Sequence, residues 1–199
     1  LYMAVSLPPD FAFPDDSLRT KLIAECIVPV AAQHNIPFAL MIGVKRAVNP
    51  ALKLAGDGVA RADAGAVERL CAKFPKNKFM VTMLARENQH ELCVAGRKFP
   101  NLFIFGCWWF LNNPSLIEEM TRMRLELLGL SVTPQHSDAR VLEQVIYKWE
   151  HSRAVIAKVL EEKYCDLLNA GWNVSDAEIM RDVKGLLGGN FWDFQKATL

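Results

Sequence analysis

"VTPQHSDAR", residues 132–140, decides how this chain is read. It follows Gly129 and a short apolar stretch, and a long helical pattern begins directly after it. Within five residues it carries His136, Ser137, Asp138 and Arg140, at the point where a buried strand should hand over to a helix. Polar residues gathered at such a hand-over are what α/β proteins use to build a site, because strand ends open onto the surface while strand middles are covered.

Working upstream, strand-like and helix-like segments alternate without a break. "YMAVSL" is short and apolar, and "PPDFAFPDD" is a loop. Asp16 or Ser17 caps a helix to about His34, with Leu18, Leu22, Ile23, Cys26, Ile27 and Val30 at helical spacing. "FALMIGV" (38–44) is continuously apolar, as a strand covered on both faces must be. Residues 45–62, containing Pro50, Gly56 and Gly58, read as a long loop, and loops of that length are often functional. A helix over 63–74 leads to strand "KFMVTML" (78–84), and a helix over 87–99 leads to strand "LFIFGC" (102–107). Asn113 and Pro114 start a helix that Gly129 ends, before strand "LSVTP" (130–134).

Downstream, apolar residues from Val141 to Leu168 keep helical spacing until Gly171, and "SDAE" (175–178) is a capping box for one more helix, closed by Gly188–Gly189. Five strands alternating with helices predict a parallel sheet. An open doubly wound sheet and part of a (β/α)₈ barrel both satisfy the pattern. No G-x-G-x-x-G or G-x-x-x-x-G-K occurs, which counts against the open nucleotide-binding sheets.

Composition narrows the function. Of 199 residues, 51% are hydrophobic and 23% charged, a globular balance. The net charge is +1 with no long run of one sign, so a nucleic-acid partner is not expected. No apolar run reaches the roughly 18 residues of a membrane span, so no membrane partner is expected. Five cysteines show no C-x-x-C pair, and four of them sit in apolar contexts that read as core, which places the chain in reducing cytoplasm. The opening "LYMAVSLPPD" reads as a strand in progress, with Leu1 no initiator, and suggests the C-terminal part of something longer.

The strand ends supply the candidates. Each puts polar or aromatic residues at the same end: Lys45–Arg46, then Arg86, Glu87 and Asn88, then Trp108–Trp109 with Asn112–Asn113, then the opening cluster. In a barrel those tips converge on one mouth. Asp138 reads either as a helix N-cap or as a carboxylate that binds a metal or moves a proton, and Arg140 can grip a carboxylate with two parallel hydrogen bonds. Of Trp108 and Trp109, strand alternation sends one to the helices and one to the mouth. Arg46 is costly to bury unpaired, so it suggests an anionic ligand or a solvated lip. His136 is a ligand or a supporting histidine, and His34, His90 and His151 read as surface residues on helices. No H-x-H or H-x-x-x-H is present.

At "GCWWFLNNPSLIEEMTRMRLELLG" and "PQHSDARVLEQVIYKWEHSR" the sequence resembles the uronate isomerase (glucuronate isomerase) family of the amidohydrolase superfamily. The likeness extends to "FALMIGVKR", "NKFMVTML" and the closing "GW…DV…GN" region. It implies the C-terminal part of a (β/α)₈ TIM barrel, α/β with about five parallel strands. Residues 1–150 would form the half-barrel and 151–199 a C-terminal helical extension packed on it. It implies interconversion of aldose and ketose hexuronates, D-glucuronate with D-fructuronate and D-galacturonate with D-tagaturonate, by proton transfer from C2 to C1 through a cis-enediol. By resemblance, Asp138 binds a divalent metal, zinc being expected, and shuttles the proton. Arg140 holds substrate or stabilises the enediolate, Trp108 lines the sugar pocket, and Arg46 meets the uronate carboxylate. Family chains are roughly twice this long, with an H-x-H metal pair in the half not represented here. Many members carry a histidine where this chain has Met41. The chain alone is therefore expected to be inactive. The competing expectations are a metal-dependent hydrolase of the same superfamily and a non-catalytic half-barrel that pairs with another chain, a homo-oligomer included, because an open sheet face invites association.

Overall fold

Parallel strands of four or five residues need both faces covered, and the apolar runs here are of that length and kind. The computed structural model describes residues 2–199; Leu1, and with it the start of "LYMAVSLPPD", lies outside the described residues. The chain divides into one unit up to Ile104 joined by Phe194–Leu199, and a second of Phe105–Asp193.

The first unit contains β1 (Met3–Leu7), α1 (Leu18–Leu22), α2 (Val28–Gln33), β2 (Phe38–Ile42), β3 (Val44–Lys45), β4 (Gly58–Val59), α3 (Ala64–Lys73), β5 (Phe79–Met83), α4 (Gln89–Lys98) and β6 (Leu102–Phe105). β2 pairs in parallel with β1 on one side and β5 on the other, and β5 pairs in parallel with β6. Every residue of β5 and β6 is buried, which explains a sequence that is apolar except at Thr82. Ser17 caps α1 by accepting the Thr20 N–H, and Asp63 caps α3 by accepting the Gly65 N–H.

Two expectations change in this unit. The helix read as continuous to His34 is broken by a π turn at Ile23–Ile27, because Pro29, at the start of α2, has no N–H to continue an α-helical ladder. The loop read over 45–62 is a closed excursion. β3 and β4 pair antiparallel at its neck, a 3₁₀ turn spans Pro50–Gly56, and the Asn49 N–H donates to the Gly56 carbonyl at 3.0 Å. A side chain at Gly56 would lie 1.9 Å from the Asn49 oxygen, so only glycine closes it. The next stretch is fixed by the fully buried Asn88, whose side chain accepts the Ala62 N–H at 3.0 Å and donates to the Ala62 carbonyl at 2.8 Å. At the other end of the sheet, the buried Lys78 ammonium donates to the carbonyls of Gln195 and Ala197, and Phe194 stacks on Phe103 at 4.9 Å.

The second unit contains α5 (Pro114–Leu128), β7 (Val132–Thr133), α6 (Leu142–Asn169), α7 (Asp176–Lys184) and α8 (Asn190–Lys196). β7 is shorter than the expected 130–134 strand. Its Thr133 carbonyl accepts the Gly106 N–H at 2.7 Å. α5 and α6 are joined by ion pairs of Arg122 with Glu162 at 2.5 Å and of Lys163 with Glu126 at 2.6 Å. The Ser175–Glu178 capping box opens α7 as the sequence predicts. The helix opened at Ser175 runs through a π turn at Gly185–Gly189 and is broken at Gly188, whose φ of +148° is non-helical, as the sequence predicts; a further short helix, α8, follows it. All five cysteines are free. Three are buried (Cys71, Cys93, Cys107), while Cys26 and Cys165 are exposed, one fewer core cysteine than expected, because each of those two lies on the outer side of its helical segment.

Asn88→Ala removes two hydrogen bonds and strands two backbone groups of Ala62, a loss of about 2 kcal/mol. A urea unfolding midpoint unchanged from the wild type would show that the clamp contributes nothing.

Candidate active site

Beyond the end of β6 the sheet ladder stops, and side chains take over the backbone groups. Gly106 sits at φ +69°, donating its N–H to Thr133 and accepting from the Arg124 guanidinium at 2.8 Å. A side chain there would lie 1.6 Å from Nδ1 of His136, so the imidazole occupies the space that glycine leaves. The His136 ring also tilts over Phe105 at 5.2 Å, and both its nitrogens are buried without a hydrogen-bond partner among the described residues. Burial first, then the charges of Arg124 and Lys148, push its pKa down to about 4, so the ring is neutral at ordinary pH.

Gln135 lies beside it, 1% exposed. Its carbonyl accepts the backbone N–H groups of Cys107 at 3.2 Å and His136 at 3.1 Å, and its amide donates to the buried Ser152 hydroxyl at 2.7 Å. Three turns of α6 present a polar stripe to this segment, at i, i+4 and i+8. Gln144 accepts the Arg140 N–H at 2.7 Å, Lys148 donates to the Asp138 carbonyl at 2.9 Å, and Ser152 meets Gln135.

Asp138 is held at φ +41°, a strained position for a residue other than glycine. It is not a helix cap, since the N-cap of α6 is Val141. Burial raises its pKa against the opposing pull of Lys148, Arg140 and the Trp108 side chain. A carboxyl raised toward neutrality while still facing two cations is suited to taking up and returning a proton.

Trp108 and Trp109 do not divide as strand neighbours. β6 has already ended at Phe105; Trp108 is buried, and Trp109, at φ +41°, begins a 3₁₀ turn and stacks on Phe110 at 4.6 Å. The Arg140 guanidinium is exposed and lies 5.9 Å over the Trp109 ring. Trp108, Asp138 and Arg140 are thus brought together in the second unit. Arg46 belongs to the first, where its guanidinium pairs through Nη1 with Asp57, a buried carboxylate that also accepts the Ala47 N–H at 2.9 Å. Its side chain is 61% exposed, which fits the solvated lip. The sequence reading assigned no role to Asp57, Arg124, Lys148 or Gln135. Arg124 was findable: it falls on the buried face of α5 with Ile117, Met120 and Thr121, and an arginine on an apolar stripe needs a partner. Among the described residues no group of three or more His, Cys, Asp or Glu side chains could hold a metal ion, so Asp138 supplies one ligand at most.

Because the folded His136 titrates near 4, below the ordinary imidazole value of about 6.5, the unfolded chain takes its proton first. The neutral ring's share of stability is whole above about pH 6.5 and is lost as pH falls toward 4. In urea titrations across that window, His136→Asn should lose less stability than the wild type; parallel curves would contradict the assignment.

No family model matches the sequence, and no curated protein matches it. Solved structures do. A uronate isomerase from Bacillus halodurans is 63% identical, with a TM-score of 0.95, over 98% of this chain and 46% of that one. A uronate isomerase from Thermotoga maritima (17% identity, TM-score 0.78, 96% of this chain and 48% of that one) and a glucuronate isomerase from Caulobacter crescentus (15%, 0.73, 100% and 49%) share the fold. The sheet with its helices is therefore the α/β arrangement of part of a (β/α)₈ barrel with extra helices, consistent with a C-terminal half. In sequence and in fold the chain is a relative of the uronate isomerases that spans about half their length.

Proposed function

We propose that the natural polypeptide carrying this chain is a uronate isomerase, interconverting aldose and ketose hexuronates, D-glucuronate with D-fructuronate and D-galacturonate with D-tagaturonate. The observation that carries the reading is the 63% identity over 98% of the chain to an isomerase of that name. The state of the Asp138 carboxyl supports it, because aldose–ketose exchange at C1 and C2 needs a base that can hold a proton and give it back.

Asp138 takes the C2 hydrogen as a proton and returns it to C1, while the proton on O2 passes to O1. Between the two transfers negative charge spreads over a cis-enediolate, and Arg140, next to Asp138, is the cation placed to stabilise it. The buried Trp108 indole offers an apolar surface of the kind sugar C–H faces prefer. Arg46 is proposed to take the C6 carboxylate, with Asp57 orienting the guanidinium through one nitrogen. A divalent cation, zinc in this reading, would use Asp138 as one ligand and require others that the described residues do not supply. They do not form a metal centre by themselves, and the chain alone is proposed to be inactive.

The test is isomerisation of D-glucuronate by the natural polypeptide in the presence of a divalent cation. Asp138→Asn should lower kcat by about 10²-fold or more with an unchanged far-ultraviolet circular dichroism spectrum; retained turnover would remove Asp138 from the chemistry. Arg46→Lys should mainly raise KM, by roughly tenfold, since a point charge replaces a planar fork. A KM equal to that of the wild type would free Arg46 from the carboxylate.

A further inference from the structure

We propose that Gln135 is a positioning residue for the proton-transferring carboxylate, holding in register the two segments beyond the strand ends that carry Trp108 and Asp138. The proposal rests on the reading of Asp138 given above. Past the Gly106–Thr133 hydrogen bond there is no further ladder, yet the N–H groups of Cys107 and His136 point inward. A buried N–H must find an acceptor. One side-chain carbonyl, with its two lone pairs, serves both. Cys107 immediately precedes Trp108, and His136 stands two residues before Asp138. The single amide thus ties together the backbones that carry Trp108 and Asp138.

The other end of the amide is equally constrained. Its nitrogen donates to Ser152, which is 0% exposed on α6, so the clamp is fixed to a 28-residue helix rather than to a loop. The segments are also braced independently: the Cys107 thiol donates to the Pro134 carbonyl at 3.4 Å, and Arg124 holds the Gly106 carbonyl. Removing Gln135 should therefore loosen the loops without dismantling the sheet. Glutamate should restore the clamp, because its carboxylate offers both acceptors and the Ser152 hydroxyl can turn to donate.

The readout is the Trp108 indole N–H in the natural polypeptide labelled with ¹⁵N-tryptophan, its resonance assigned by its loss in Trp108→Phe. In Gln135→Leu its hydrogen exchange should be at least about tenfold faster than in the wild type, while Gln135→Glu should stay within about twofold. In the isomerisation assay Gln135→Leu should lower kcat by about 10²-fold with little change in KM, and Gln135→Glu should recover most of it. A residue that served stability alone would lower the unfolding midpoint and leave the exchange rate and kcat of the folded protein untouched, and that result would overturn the proposal. Should Gln135→Leu fail to fold, Ser152→Ala decides: it keeps both N–H acceptors but frees the amide, and indole exchange as slow as in the wild type would count against the clamp. If the indole responds as expected but the wild type isomerises no hexuronate, the clamp stands and the isomerase reading falls.

Discussion

The structure around Asp138 depends on one constraint: buried backbone groups that leave a sheet must still be paired. Within β2, β5 and β6 the ladder does this without help from side chains. At Gly106 the ladder makes its last bond, to Thr133, and the chain then turns through left-handed conformations at Gly106, Trp109 and Asp138. Those turns aim backbone groups at the interior rather than along a strand. Side chains answer them: Gln135 accepts the N–H groups of Cys107 and of its neighbour His136, and Arg124 donates to the Gly106 carbonyl. The strain of a positive φ at Asp138, of order 1–3 kcal/mol, persists because these bonds over-determine the path.

Charge follows from the same packing. Arg124 and Lys148 enter to satisfy carbonyls, so two cations stand near His136 and one of them near Asp138. The imidazole has no charge to offer against them and stays neutral. For the carboxyl, burial outweighs the attraction of Lys148 and Arg140, and its pKa is raised. The result is an acid group less committed to its charged form than a solvent-facing aspartate, set between cations that would welcome the charge when it forms. Proton transfer needs that balance.

Much of this was legible in the sequence. Largely apolar runs identified β2, β5 and β6; the caps at Ser17, Asp63, Asn113 and Ser175 were each where a cap residue preceded a helical pattern. Asp138 and Arg140 stood out because they followed a strand. The misses share a cause. The closed excursion after Lys45 is held by backbone pairing and by a glycine with no room for a side chain, neither of which leaves a periodic signal. The supporting groups were invisible for another reason: Gln135 works by reaching residue 107, and Asp57 by reaching residue 46, and no local pattern encodes such a reach. The tryptophan pair was misread because alternation was applied beyond the end of the strand.

α6 shows how a correct period can still assign the wrong face. Val141, Leu142, Val145 and Ile146 have helical spacing, and a core-facing stripe would use them. Instead they are exposed, while Gln144, Lys148 and Ser152 turn inward. In ordinary packing an apolar stripe faces the core because it has nothing better to meet. Here the neighbour is the loop 135–140, rich in unpaired backbone groups and a carboxylate, and a polar stripe satisfies it where an apolar one would leave it stranded. The helix reads the loop in reverse order, residue 144 on 140, 148 on 138 and 152 on 135, one contact per turn. Four-residue spacing on the helix against two- and three-residue steps on the loop works because a strained, left-handed Asp138 shortens the loop's advance. The unusual backbone of the candidate base and the unusual face of the helix are thus two consequences of a single fit.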